Sequence, residues 1–172
     1  MRNSSRNLLL LAILTAVIGA AVYAQIHHEQ EQLRTRRLSE IDAAGISHVS
    51  VSCMDCRTRR FERNGDGWRM LEPFVLPAST VAVKRLIAVA RSPVHEWLSM
   101  RDHDPTKLGL APPRITLTLD GTIIKIGNED PIDHDRYVRI GDKLARVPDR
   151  FSARLLESPQ SELTDPGAVT KP

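Results

Sequence analysis

The chain has 172 residues, with 24 basic and 21 acidic side chains for a formal charge of +3, 41% hydrophobic residues and two cysteines. A sequence pI near 9.1 invites a nucleic-acid partner, but residues 1–26 hold two arginines and no acids, so the remainder carries 22 basic against 21 acidic residues. A balance of +1 is no nucleic-acid footprint, and the length that remains suits one domain with a modest core.

Residues 8–24, LLLLAILTAVIGAAVYA, carry no charge and follow Arg2 and Arg6. As a helix they would span roughly 26 Å at about 1.5 Å per residue, slightly short of a hydrocarbon core of about 30 Å. Asn7, Gln25 and Ile26 close that gap. A secretory signal peptide has the same layout, and Val22-Tyr23-Ala24 is an acceptable cleavage site. The apolar run is longer than the usual signal core, which favours an uncleaved transmembrane anchor over residues 1–26, contacting membrane through residues 8–26. In either case the arginines keep the amino terminus inside and the rest is exported, which for a bacterial chain means a single pass in the inner membrane with a periplasmic domain. The sequence offers no second apolar run of that length and no lipobox cysteine.

Residues 27–45 are polar apart from Leu33, Leu38 and Ile41, and read as a helical stalk or linker ended by Gly45. The pair His27-His28 reads as interfacial rather than as a metal site.

The domain proper is expected over residues 46–156. Val49, Val51 and Cys53 alternate with Ser50 and Ser52 in the period of a half-buried strand. A tight connection at Met54-Asp55 leads to a second strand over 57–63, whose only apolar side chain is Phe61. Asn64-Gly65-Asp66-Gly67 turns the chain into a third strand at 68–71. Pro73 and Pro77 bracket an extended link, after which Ser79 or Thr80 caps a helix running to about Arg91. Its Val83, Leu86, Ile87 and Ala90 fall at i, i+3, i+4 and i+7, an apolar stripe suited to packing on the meander.

Residues 94–101 suggest a short strand or an irregular cover. Asp104-Pro105 starts one helical turn, and Pro112-Pro113 forces an extended form. Ile115, Leu117 and Leu119 alternate with threonines, and Asp120-Gly121 signals a hairpin that returns along 122–126. Gly127-Asn128-Glu129-Asp130 then reads as a loop. A second hairpin pairs 137–140 with 143–147 through Gly141-Asp142, and a last short helix holds Phe151 and Leu155. Residues 157–172 are poor in apolar side chains and are expected to be a disordered tail. The fold class is therefore α+β: an N-terminal transmembrane helix, then antiparallel meander and hairpins packed with one main helix.

Four groups carry potential chemistry. Cys53 and Cys56 are spaced C-x-x-C; an oxidising compartment favours a disulfide, with free thiols or a redox or metal role as alternatives. Asp102-His103-Asp104 and Asp133-His134-Asp135 are identical in pattern and could hold zinc if their loops met, although adjacent residues seldom point at one ion and solvated loops are the plainer alternative. Arg57, Arg59, Arg60, Arg63 and Arg69 concentrate positive charge on one sheet, offset by Glu62 and Asp66. They form either a surface for anionic lipid or an acidic partner, or the solvated outer face of a half-exposed sheet. Neither a phosphate cradle nor a nucleophile elbow is present in the sequence, so no catalytic residue, cofactor or resident metal is assigned.

The ordered set Phe61-Glu62-Arg63-Asn64-Gly65, Trp68 and Pro73, Leu108-Gly109-Leu110 before Pro112-Pro113, Ile126-Gly127, Pro131 and Arg136-Tyr137-Val138-Arg139 resembles the bacterial family catalogued as domain of unknown function 4340, over roughly residues 46–156. The resemblance implies an α+β fold and an envelope location, and some relatives are associated with ABC-type transport or gliding systems. It implies no catalytic residues. The expected function is a membrane-tethered, non-catalytic periplasmic domain that binds an envelope protein; the alternative is a periplasmic protein holding a metal or small ligand at the His103 and His134 loops.

Overall fold

The computed structural model describes Thr15, residues 17–23 and residues 37–169. The chain divides into two units, residues 1–36 and 37–172. In the first, residues 17–23 are helical. Most of the expected anchor and stalk, including His27-His28, lies outside the described residues. Among those described, no helix is long and apolar enough to cross a membrane.

The second unit is a nine-stranded, wholly antiparallel sheet with a few short helices, an α+β arrangement. Its strands are β1 (His48–Cys53), β2 (Arg59–Asn64), β3 (Gly67–Glu72), β4 (Leu76–Ala78), β5 (Glu96–Leu98), β6 (Ile115–Leu119), β7 (Thr122–Glu129), β8 (Asp135–Ile140) and β9 (Lys143–Pro148). Their spatial order is β4-β3-β2-β1-β6-β7-β8-β9-β5, so two hairpin runs join through the β1–β6 pair, and three-residue strands close both edges.

Alternation fixes the register because each strand has one buried row. Val49 and Val51 of β1 face inward and lie opposite Leu119 and Leu117 of β6 on one side, and Phe61 and Arg59 of β2 on the other. Ile124 and Ile126 of β7, Val138 of β8, and Ala145 and Val147 of β9 continue that row. Helix α1 (Thr80–Ile87) covers it with Val83, Leu86 and Ile87, and a 3-10 turn at Ala88–Arg91 adds Val89 and Ala90. The Ser79 hydroxyl accepts the Ala82 amide at 3.4 Å, the expected cap. Phe151 and Leu155, the latter in helix α2 (Ser152–Leu155), complete the cover.

Turn chemistry acts where the sequence placed it. Asp120 and Gly121 both have positive φ, 43° and 94°, as a two-residue turn that matches strand twist requires. The Asp120 carboxylate also accepts the Ser47 and His48 amides at 2.8 and 2.7 Å. Burial is the largest single influence and opposes its ionisation, but these amides and the His48 ring together outweigh it and hold the carboxyl below the usual aspartate range.

Several boundaries differ from expectation. Residues 37–45 are not a helical stalk: Leu38 is buried in the core, its amide bonds the Ser92 carbonyl at 3.0 Å, and Arg37 bridges Pro93. The bracketed link contains β4, an edge strand in which Pro77 is tolerated. Gly127-Asn128-Glu129 is the end of β7 rather than a loop, with a register shift against β8 between Ile126 and Glu129. Leu108 crosses so closely here that its carbonyl would collide with any Cβ at Gly127, and it accepts the Asn128 amide at 2.7 Å.

The expected disordered tail is also corrected over its described part. Residues Pro159–Glu162 form a 3-10 turn, Leu163 is buried and bridges Ala78, and Thr164 donates to the Pro77 carbonyl at 3.0 Å. The segment extends the β4 edge and covers part of the core, burying Leu163 and the Glu162 side chain.

Candidate functional site

The five arginines do not form one surface. Arg59 points inward with the β2 core row and is 1% exposed. Its Nη1 donates to Glu162 Oε1 at 2.6 Å, a partner itself 2% exposed, and its Nη2 donates to the Leu155 carbonyl. A guanidinium tolerates such a position because its forked donors meet a carboxylate and a helix carbonyl together. Burial pushes the Glu162 carboxyl up to about 7 against the downward pull of Arg59.

Arg60, Arg63 and Arg69 lie on the strands, and Arg57 precedes β2 in an exposed position. Arg60 pairs with Glu72 at 3.3 Å. Arg63 donates to the Ile46 carbonyl at 3.0 Å and stacks on Trp68, 5.3 Å from the ring centroid. Arg69 stands opposite Glu62 in the β2–β3 register. Arg59 and Arg60 are thus ion-paired and Arg63 is held by a carbonyl and an aromatic face, while Arg57, Arg60 and Arg69 are what an outside partner could reach.

Cys53 and Cys56 lie at disulfide distance, with Cα atoms 5.3 Å apart. The pair rims a cavity of about 370 Å³ that Arg114, Arg136 and Ser152 also line. Both arginines are engaged: Arg114 Nε donates to Asn128 Oδ1, and Arg136 meets Asp149 at 2.7 Å. Cys53 is the last residue of β1 and Cys56 lies in the turn that follows, so neither cysteine is itself at a helix N-terminus.

The histidines of the two tripeptides each bond a group close by in the chain. His103 Nδ1 bonds the Ser99 carbonyl at 2.9 Å within its own loop, and His134, at φ 58°, bonds Glu129 at 2.6 Å. Among the described residues neither His103 nor His134 joins a converging set of three ligand-type side chains. Among the described residues the set that converges is His95, Asp133 and Asp135, whose ligand atoms all lie within 4.8 Å of one another.

This set belongs to a polar cluster at the β5, β8 and β9 end of the sheet. Arg146 of β9 is its hub, reaching Glu96 at 2.6 Å, Asp133 at 2.8 Å and Asp130 at 3.4 Å. Glu96 lies directly opposite it in the β5–β9 register. Its hydrogen bond to Glu96 raises the guanidinium pKa further, against a smaller effect of burial. Asp130 accepts the Tyr137 hydroxyl at 2.7 Å and the Ile132 and Asp133 amides. The tyrosine bond first, then those amides, hold Asp130 below the usual range, and the same bond raises Tyr137. Asp135 bonds His95 Nδ1 at 2.6 Å. The sequence showed Asp133 and Asp135 as candidates, but only strand pairing brings them to His95.

No family model, no curated protein and no solved structure matches this chain.

Proposed function

We propose that the chain is a single-pass protein of the bacterial inner membrane whose segment 8–26 holds an exported, non-catalytic domain that docks another envelope protein. The observation that carries this is the uncharged run 8–24 behind Arg2 and Arg6, placed ahead of a chain whose exported part is nearly neutral. The resemblance to the family of domain of unknown function 4340 agrees with that location. So does the Cys53–Cys56 pair, since disulfides persist in oxidising compartments.

The docking surface we assign is the outer side of β2 and β3 with the preceding loop, through Arg57, Arg60 and Arg69. Arg59 is excluded, because it is buried. Crosslinking in cells, followed by detergent solubilisation and identification of what co-purifies with a carboxy-terminally tagged chain, tests the assignment. One reproducible envelope partner, lost when Arg57, Arg60 and Arg69 are changed to Glu, is expected. Recovery of the chain alone, or a partner retained by the triple variant, would overturn it.

A further inference from the structure

We infer that His95, Asp133 and Asp135 form a binding site for a divalent first-row transition-metal ion, with zinc the best-matched. The inference is independent of the docking surface, which lies on strands at the other end of the sheet.

Asp135 begins with a burial problem. Its side chain is 5% exposed, yet among the described residues its one ion-pair partner is His95, which is 54% exposed, and none of the described arginines or lysines pairs with it. A carboxylate removed from water without a firm cation beside it is costly, and a metal ion is one of the few groups that compensates it fully. Arg146 does not serve, because its guanidinium reaches Glu96, Asp130 and Asp133 instead.

The donor set fits the ion. One imidazole nitrogen and two carboxylates are a mixed nitrogen and oxygen set, which zinc accepts at about 2.0–2.2 Å and which leaves a fourth tetrahedral position for water. The three ligand atoms already fall within 4.8 Å of one another. His95 Nδ1 and Asp135 Oδ2 stand 2.6 Å apart, a hydrogen-bond length; ligands at those metal distances sit roughly 3.4 Å apart, so the ion replaces the proton between them and opens the pair by under about 1 Å. Asp133 is 42% exposed and lies in the loop before β8. It can turn an oxygen from Arg146 to the metal, because Arg146 keeps Glu96 and Asp130.

The carboxylates outnumber the cations around this point. Glu96, Asp130 and Asp133 share Arg146 while Asp135 has only His95, so an added divalent ion meets a local negative excess. The backbone supports two of the ligands: Asp135 is fixed by β8 pairing to β9, and the His95 amide donates to the Arg146 carbonyl at 2.9 Å.

Calorimetric titration of Zn²⁺ into the metal-depleted full-length chain tests the site. One ion per chain is expected, weakened at least tenfold by His95→Ala and by Asp135→Asn, and unchanged by His103→Ala, by His134→Ala or by replacing His27 and His28 together. His95 is half exposed, so its variant reports on binding even where Asp135→Asn fails to fold. Absence of Zn²⁺ binding in the wild type, or binding that survives His95→Ala or disappears with His27 and His28, would overturn the inference.

Discussion

The two ends of the sheet handle charge in opposite ways. At the β2–β4 end each arginine on the strands faces one acid or one aromatic ring: Arg59 with Glu162, Arg60 with Glu72, Arg63 with Trp68, Arg69 across from Glu62. At the β8–β9–β5 end six carboxylates, Glu96, Glu129, Asp130, Asp133, Asp135 and Asp149, share Arg136 and Arg146 with help from His95 and His134. Residues 27–172 sum to about +1, yet they hold a cluster around Arg136 and Arg146 in which carboxylates outnumber arginines. Net charge alone hides this, because strand pairing decides which charges meet.

The sharpest way to break the comparison is at the buried pair. Arg59→Met leaves the Glu162 carboxylate buried without its cation, and should cost about 3–5 kcal/mol in denaturant unfolding, whereas Arg59→Met with Glu162→Leu should recover most of that. If the single change costs under about 1 kcal/mol, the pair is not the fixture that holds residues 159–163 down. The same pair sets a pH response. Because the Glu162 pKa rises from its usual 4.5 to about 7 on folding, the folded chain keeps a proton that the unfolded chain gives up. Its contribution to stability is complete below about pH 4.5, declines as pH rises, and is gone above about 7. Glu162→Gln should flatten that part of the stability–pH curve.

Smaller effects sharpen the contrast. Replacing Cys53 and Cys56 with Ser should lower stability by about 2 kcal/mol or less, since the pair closes a very short loop. Arg146→Met should cost about 1–2 kcal/mol at low salt and less at high salt, as Glu96, Asp130 and Asp133 lose their shared cation and screening relieves their repulsion. Arg60→Ala, at the β2–β4 end and on the surface, should change the unfolding midpoint by an amount worth under about 1 kcal/mol.

Local pattern made much of the fold legible. Val49 and Val51, Leu117 and Leu119, and the Val83-Leu86-Ile87 stripe announce which face is buried, while Asp120-Gly121 and Ser79 mark a turn and a cap. These signals act within a few residues. The features missed depend on partners distant in sequence. Arg59 alternates correctly for an inward position, but an arginine is ordinarily exposed, and the Glu162 that lets it be buried lies 103 residues away. Leu38 and Leu163 stand alone in polar stretches, and each becomes core only because a sheet already assembled offers it a place. His95 reads as an isolated histidine until β5 pairs with β9 and β9 with β8, which sets it against Asp135, 40 residues on.

Membrane attachment is the claim on which the proposed function stands, and the mature amino terminus tests it most directly. Intact-mass measurement of the tagged chain recovered from alkaline-washed bacterial membranes should give a species beginning within the first residues and retaining segment 8–26. A species beginning at Gln25 and released into the soluble periplasmic fraction would contradict an anchor and leave a secreted domain.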